Sequence, residues 1–187
     1  MTLKVGINGF GRIGRMILRS IIEQKRKDLK VVAINNRGNA EVSSFLLAHD
    51  TIHGKLTSKI NHSEKLIEVD GKKINMSHET GISKIDWKKY KVDIVLECTG
   101  KFNTKDKSSQ HINSGAEKVI VSAPCKNVKN IIFGVNEKNL KSDDQIISAA
   151  SCTTNCLPPV AQVLNDNFGI ERGLWPQFTR TQPIKDY

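Results

Sequence analysis

Three glycines near the N-terminus, in the pattern Gly9-x-Gly11-x-x-Gly14, constrain the fold of this chain more than any other feature. They follow Leu3–Asn8, which is typical of a buried strand, and they open Arg12–Ile22, whose apolar residues recur at helical spacing. A second strand is predicted over Lys30–Asn35, because its continuous apolar run suits a parallel sheet covered on both faces. Glycines between such a strand and helix let the backbone approach a pyrophosphate at the helix N-terminus. The pattern therefore predicts a strand–helix–strand unit that binds a dinucleotide.

The rest of the chain continues this alternation of strands and helices. The sequence predicts a helix over Ala40–His49, an antiparallel insertion over Lys55–Met76 and a polar helix over Thr104–Asn113. Further parallel strands are predicted over Asp93–Glu97, Lys118–Ser122, Asn130–Val135 and Ile146–Ala150. We therefore expect an α/β fold, a doubly wound, mostly parallel sheet that is Rossmann-like and carries a small antiparallel insertion. This domain is expected to end at about Ala150.

The composition is that of an ordinary globular protein, with 38% hydrophobic and 26% charged residues. Since no apolar stretch approaches the ~20 residues that span a bilayer and no signal-peptide cleavage site is evident, we expect a cytoplasmic protein without a membrane partner. Four cysteines at irregular spacing indicate neither a disulfide framework nor a metal site. The net charge of +10 comes mostly from scattered lysines, so it predicts no specific nucleic-acid partner. A basic surface also attracts phosphorylated ligands.

A second motif, Ser151-Cys152-Thr153-Thr154-Asn155-Cys156, lies between a predicted strand and the helical segment Leu157–Phe168. Cys152 is therefore expected close to a helix N-terminus, where free N–H groups and the helix dipole favour the thiolate over the thiol. A thiolate in this position is a nucleophile for a carbonyl carbon. The alternative is a buried structural cysteine, which its polar neighbours make less fitting.

Together, the segments Asn8–Arg15 and Ser151–Cys156 resemble the phosphorylating glyceraldehyde-3-phosphate dehydrogenase family, and the resemblance runs from about Leu3 to Leu174. It implies NAD or NADP as cofactor, glyceraldehyde 3-phosphate and inorganic phosphate as substrates, and a homotetramer for a full-length member. It also implies a dinucleotide-binding domain over 1–150, followed by the truncated start of a catalytic domain over 151–187.

The resemblance also implies roles for individual residues of this sequence. Cys152 is implied to be the catalytic nucleophile, with Ser151 and Thr153 holding substrate phosphate or oxyanion groups. The residues implied to bind the cofactor are Gly9, Gly11, Arg12, Ile13, Gly14, Thr99, Gly100 and Ser122.

The end of the second strand departs from the family, which usually carries Asn-Asp there. This chain has Asn35-Asn36-Arg37. Asn36 still forms hydrogen bonds with a ribose hydroxyl, but it does not repel a 2′-phosphate, and Arg37 supplies a charge that pairs with one. A harmless exchange, with Arg37 in solvent, is the alternative. NAD and NADP therefore both remain open as cofactors.

The chain departs from the family again after Gly173-Leu174. The family carries its catalytic base, a histidine, shortly after the nucleophile helix, whereas all five histidines here precede Cys152. Removal of the first base from ATG GCC ACA ATT CAC TCG TA, which encodes Met-Ala-Thr-Ile-His-Ser, leaves codons for Trp-Pro-Gln-Phe-Thr-Arg. That is the sequence of Trp175–Arg180, and Thr181–Tyr187 resembles the family again. We therefore expect a frame error in a fragment; a true terminal variation is the alternative.

Three other functions fit parts of the pattern. A dehydrogenase of erythrose 4-phosphate shares both motifs. An isolated dinucleotide-binding module without turnover needs only the glycine motif. An RNA-binding protein is supported by charge alone, and nonspecific RNA binding of that kind vanishes with modest salt.

Overall fold

The predicted strand–helix–strand unit is present, and its first strand lies at the centre of the main sheet. A computed structural model describes residues 2–176 of the chain. In it, β1 (Leu3–Asn8) pairs in parallel with β2 (Leu29–Asn35), and α1 (Arg12–Glu23) connects them. The middle of both strands is buried, with Ile7 and Ile34 fully inaccessible to solvent. Burial on both faces explains why the apolar run of β2, Val31–Ile34, is continuous.

The segment after β2 forms one edge of the same sheet. It contains α2 (Ala40–Ala48) and a separate two-strand pair, β3 (His49–Asp50) with β4 (Gly54–Lys55). The predicted insertion follows as three strands: β5 (Ile60–Ser63), β6 (Leu66–Val69) and β7 (Lys72–Ser77). The turn at Asp70-Gly71 has positive φ at both residues, 48° and 77°, as tight hairpin turns require. Because β7 also pairs in parallel with β2, the insertion extends the main sheet.

The second half of the chain adds strands on the other side of β1. These strands are β8 (Ile94–Glu97), β9 (Lys118–Val121), β10 (Lys129–Asn130) and β11 (Ile146–Ser148). The nine-stranded sheet has the order β10-β11-β9-β8-β1-β2-β7-β6-β5, which confirms the mostly parallel α/β fold. Since β2 and β8 lie on opposite sides of β1, the strand order reverses there. A crevice opens at such a point beyond the carboxyl ends of the strands.

Two predicted elements in this half are wrong in their extent. The polar helix is two short helices, α3 (Lys105–Ser108) and α4 (Gln110–Asn113), which meet at Ser109. Of the strand predicted over Asn130–Val135, only Asn130 is in a strand, as the last residue of β10. The chain then turns over residues 133–136, with φ of 82° at Gly134. Short 3₁₀ turns cover Ile82–Lys84 and Glu137–Asn139.

The last described helix is α5 (Cys152–Phe168), which begins five residues before the predicted segment. It starts early because Ser151 caps it: the Ser151 Oγ accepts a hydrogen bond from the Thr154 amide at 3.1 Å. Within the part of the chain that the structure describes, no residue of α5 is buried. Of the predicted frame error, Gln177–Arg180 lie outside the described residues, as does Thr181–Tyr187.

Candidate active site

A cavity of about 230 Å³ opens where the strand order reverses at β1. The loops that follow β1, β2, β7 and β8 form its walls. Its lining consists of Asn8, Gly9, Gly11, Asn35, Asn36, Arg37, Glu79, Thr80, Gly81, Ile82, Ile85, Cys98, Thr99, Lys101 and Phe102. This is the location in which doubly wound sheets bind nucleotides.

The glycine turn between β1 and α1 has the shape that a pyrophosphate needs. Gly9 has φ of 92°, and a Cβ there would lie 2.8 Å from the Thr99 amide nitrogen. Gly14 packs so closely on the turn that a Cβ would lie 2.2 Å from the Gly9 carbonyl oxygen. A Cβ at Gly11 would meet only open space. Gly11 is also the N-cap of α1, where no side chain occupies the first N–H groups, so they remain available to an anion.

The wall after β2 is built around Asn36. Its Oδ1 accepts a hydrogen bond from the Phe10 amide of the glycine turn at 3.3 Å, and its Nδ2 donates to the Ser43 Oγ of α2 at 3.2 Å. Arg37 is exposed and lines both this cavity and a neighbouring one of about 400 Å³. Asn36 is therefore fixed in orientation, whereas Arg37 lies where the two cavities meet.

The wall after β8 is formed by Cys98, Thr99 and the loop that follows. Gly100 turns this loop with φ of 71°. Burial raises the pKa of the Cys98 thiol to about 11, and a hydrogen bond with Ser122 only partly offsets this. Burial also raises the pKa of the Cys125 thiol. Both thiols are therefore poor nucleophiles at neutral pH.

The structure brings together only some of the residues that the sequence predicts for cofactor binding. Gly9, Gly11, Asn36, Arg37 and Thr99 line the cavity. Five others lie outside its lining, although the structure describes them: Arg12, Ile13, Gly14, Gly100 and Ser122. Gly14 acts through packing on Gly9, and Ile13 is half exposed at the start of α1.

Sequence reasoning missed most of the wall between Glu79 and Ile85, where no family contact was assigned. This wall follows β7, which the sequence presented as part of an antiparallel insertion. The signal that identifies it is the parallel pairing of β7 with β2, since the carboxyl ends of parallel strands meet at one edge. Asn8, Asn35, Lys101 and Phe102 were also missed.

The Ser151–Cys156 motif occupies the turn from β11 into α5. Cys152 is the first residue of the helix and is exposed. The residue before the cap, Ala150, is buried and has φ of 58°, a left-handed conformation that is strained for alanine. The Asn155 amide holds the turn by donating to the carbonyl oxygens of Ala149 and Ser151, at 2.7 and 2.9 Å. The chain therefore places the Cys152 thiol at a rigidly bonded helix N-terminus.

The hydroxyl groups beside Cys152 form a small cluster. The Ser151 Oγ lies 3.0 Å from the Thr153 Oγ1 and 2.7 Å from the Thr154 Oγ1. Hydroxyls of this kind rotate and exchange partners when an anionic group approaches. Ser151, Cys152 and Thr153 are all described, and all three lie outside the lining of the cavity.

Two kinds of feature are absent from residues 2–176. None of the helices there combines the length and apolar character needed to cross a membrane. That part of the chain also holds no group of three or more His, Cys, Asp or Glu side chains arranged to bind a metal ion.

Comparison with known proteins identifies the relatives of the chain. The family model described as "Glyceraldehyde 3-phosphate dehydrogenase, NAD binding domain" matches residues 3–105. The model of the C-terminal domain of the same family matches residues 151–186, which extends the resemblance beyond Leu174.

Curated relatives agree with these matches. A glyceraldehyde-3-phosphate dehydrogenase of Cereibacter sphaeroides is 44% identical over 190 residues, covering 100% of this chain and 56% of the relative. Those of Streptomyces coelicolor and Clostridium pasteurianum are 45% and 46% identical, covering 57% and 51% of the relative. The chain thus spans about half the length of the curated relatives it matches. Its N-terminal half matches a NAD-binding domain, and the chain belongs to the glyceraldehyde 3-phosphate dehydrogenase family.

Proposed function

We propose that this chain is the dinucleotide-binding part of an enzyme that oxidises glyceraldehyde 3-phosphate, with inorganic phosphate, to 1,3-bisphosphoglycerate. The observation that carries the proposal is the cavity at the reversal of strand order, whose glycine turn leaves the α1 N–H groups free for a pyrophosphate. Family membership supports the choice of reaction. In this proposal, 1–150 is the dinucleotide-binding domain and 151–187 begins the catalytic domain.

The chemistry is assigned to Cys152 at the start of α5. Its sulfur attacks the aldehyde carbon and forms a thiohemiacetal. The bound dinucleotide supplies the acceptor for the hydride that leaves this carbon. A thioester to Cys152 results, and inorganic phosphate attacks it, which releases the acyl phosphate and restores the thiol. The hydroxyls of Ser151 and Thr153, which already cluster at the helix N-terminus, are assigned to the phosphate or oxyanion groups.

The cofactor is assigned to the residues that the cavity brings together. Gly9 and Gly11 accommodate the pyrophosphate, Asn36 contacts the adenosine ribose, and Thr99 borders the other half of the molecule. Arg12, Ile13, Gly14, Gly100 and Ser122 complete the proposed set. Because Asn36 carries no charge and Arg37 is exposed beside a second cavity, we infer that NADP binds within about tenfold of NAD. For the full-length protein we infer a cytoplasmic homotetramer.

The 187 residues alone are expected to bind the cofactor without turnover. No histidine follows Cys152 in the sequence, so proton transfer has no assigned donor, a loss of about 10²–10⁴-fold. The absence of the rest of the proposed catalytic domain is expected to reduce the rate further. That part of the domain would position the substrate and shield the thioester from water.

The experiment has two parts. Calorimetric titration of the chain with NAD and with NADP tests binding, and a chain that binds neither contradicts the proposal. Formation of NAD(P)H from glyceraldehyde 3-phosphate and phosphate is then compared between this chain and a frame-restored, full-length protein. Turnover by the full-length protein alone supports the proposal, whereas comparable rates overturn the claim that the second half is essential. Erythrose 4-phosphate, offered to the full-length protein as an alternative substrate, tests the related dehydrogenase activity.

A further inference from the structure

A chain of buried hydrogen bonds runs below the cavity, outside its lining. It begins at Trp87, continues through His111 of α4 and ends on Glu97, the last residue of β8. The Trp87 Nε1 lies 2.9 Å from the His111 Nδ1, and the His111 Nε2 lies 2.9 Å from the Glu97 Oε2. An indole N–H only donates, so the His111 Nδ1 accepts and the proton of the ring is on Nε2. His111 therefore donates to Glu97.

Four hydrogen-bond donors converge on the Glu97 carboxylate. His111 and the Asn8 Nδ2, at 2.6 Å, both donate to Oε2. The amide and the hydroxyl of Thr99 both donate to Oε1, the amide at 2.7 Å. A carboxylate has about four acceptor positions, and all of them are used here. An uncharged isostere at position 97 is unable to satisfy these donors.

These bonds set the position of one wall of the cavity. The Thr99 hydroxyl, which donates to Glu97, accepts a hydrogen bond from the Lys101 amide at 3.1 Å. Thr99 and Lys101 line the cavity, and the Thr99 backbone packs against Gly9 of the glycine turn with no room for a Cβ. The two hydrogen bonds from Thr99 to Glu97 therefore fix the distance between the glycine turn and the loop after β8.

The same chain of bonds continues toward the opposite wall. The Asn8 Oδ1 accepts from the Asn35 Nδ2 at 2.9 Å, and the Asn35 Oδ1 accepts from the Ser77 Oγ and the Glu79 amide. Buried networks of this kind, when fully satisfied, rigidify the elements that they join. Here they join the carboxyl ends of β8, β1, β2 and β7.

We propose that Glu97 and His111 are positioning residues that hold the Thr99–Lys101 wall in place for the half of the dinucleotide distal to the adenosine. They contact no ligand themselves; they act through Thr99. This inference rests on the dinucleotide-binding function proposed above. In the proposed assignment the adenosine half lies by Asn36, whose side chain bonds to Phe10 and Ser43 and to no member of the Glu97 network. The affinity for this half is therefore expected to depend little on Glu97 or His111.

The test compares NAD with AMP as ligands of the 187-residue chain. In Glu97→Gln, the NH₂ group replaces one carboxylate oxygen and faces either the two donors of Thr99 or the donors of Asn8 and His111. His111→Leu removes one donor to Glu97. Both variants are expected to weaken NAD binding at least tenfold while AMP affinity changes less than twofold. His111→Gln restores an N–H that reaches Glu97 and is expected to remain within about threefold of the unsubstituted chain for NAD. Glu117→Gln, an equal change at an exposed position, is the control.

A second readout detects the hydrogen-bond chain itself. In ¹⁵N NMR spectra His111 is expected as the single Nε2–H tautomer. Trp87→Phe, which removes the indole donor together with part of the buried ring, is expected to mix the tautomers and to weaken NAD binding measurably. If Glu97→Gln and His111→Leu do not fold, Trp87→Phe decides: mixed tautomers with unchanged NAD affinity overturn the inference. Equal losses for NAD and AMP, or no loss for either, also overturn it. If the unsubstituted chain and all the variants bind NAD equally well, only this inference is refuted. If the unsubstituted chain binds neither NAD nor NADP, the proposed function is refuted as well.

Discussion

Among single residues, Asn36 is the one that we propose to have the most direct influence on the choice between NAD and NADP. Its amide accepts from Phe10 and donates to Ser43, so it connects the glycine turn to α2. An aspartate preserves both contacts, since a carboxylate accepts from an amide and from a hydroxyl alike. The only large difference is charge, which acts on a 2′-phosphate and hardly on a free ribose hydroxyl.

We therefore expect Asn36→Asp to weaken NADP binding at least tenfold and to leave NAD binding within about threefold. A tenfold loss for NADP with unchanged NAD binding is a selectivity change of about 1.4 kcal/mol. Calorimetric titration with both dinucleotides measures the change. Asn113→Asp adds the same charge at an exposed position on α4 that does not line the cavity, and is expected to change neither affinity. The assignment of the ribose to Asn36 is wrong if NADP binding responds equally to both variants.

The four thiols are expected to react in an order that their surroundings determine. Cys152 is exposed at the first position of α5, Cys156 is exposed one turn later, and burial raises the pKa of both Cys98 and Cys125. Limiting iodoacetamide at pH 7, followed by mass spectrometry, is expected to label Cys152 first and Cys156 second. Cys98, which is partly buried, and Cys125, which is buried, are expected to react last. Preferential labelling of Cys98 or Cys125 contradicts the proposed assignment of the nucleophile.

At the scale of elements, the turn from β11 into α5 stores strain just before Cys152, the proposed nucleophile. Ala150 is left-handed, at an expected strain of about 1–2 kcal/mol. Glycine removes that strain but gains freedom in the unfolded chain, which offsets about 0.4–1 kcal/mol. Ala150→Gly is therefore expected to raise the free energy of unfolding by roughly 0.5 kcal/mol.

The matched control is the neighbouring residue, Ala149, which has no positive φ. Ala149→Gly is expected to lower the free energy of unfolding by about 0.5–1 kcal/mol, because it adds only freedom to the unfolded chain. Urea titrations of both variants measure the two changes. Opposite signs support stored strain at Ala150, whereas two destabilised variants show that the turn is relaxed.

Elements with local signals were predictable, and those defined by distant partners were not. The glycine turn and the apolar residues predict the bounds of β1, α1 and β2 to within one residue, because their signals lie in their own sequence. The partners of Glu97 were not predictable, since Asn8 lies 89 residues away and contacts it only after β1 and β8 pair. The wall around Glu79 was missed for the same reason. Cys152 was placed correctly at a helix start because its motif contains its own cap, Ser151.

For the molecule as a whole, α5 presents an uncovered apolar stripe. Val160, Val163, Leu164 and Phe168 recur at helical spacing, and Phe168 is 83% exposed. Exposed stripes of this kind favour association. We propose that in a full-length family member the part of the catalytic domain that these 187 residues do not include packs against the stripe.

We expect the 187-residue chain to self-associate at micromolar concentration. Val163→Gln combined with Phe168→Gln is expected to reduce the mass measured by sedimentation toward the monomer value of 20.8 kDa without changing NAD affinity. Ile52→Gln, which replaces an exposed apolar residue elsewhere, is the control. If Ile52→Gln reduces association equally, the contact surface does not involve α5.

The packing of Trp87 has a spectroscopic consequence. The chain contains two tryptophans; Trp87 is fully buried below Gly6 of β1, and Trp175 is 53% exposed. Iodide reaches only the exposed indole, so quenching separates the fluorescence of the two rings in one sample. The residual, blue-shifted emission then comes from the ring that donates to His111. If a bound dinucleotide shifts the Thr99–Lys101 wall and with it the hydrogen bonds to Glu97, we expect the fluorescence of Trp87 to change. Binding is then measured from the protein's own emission, without an attached dye.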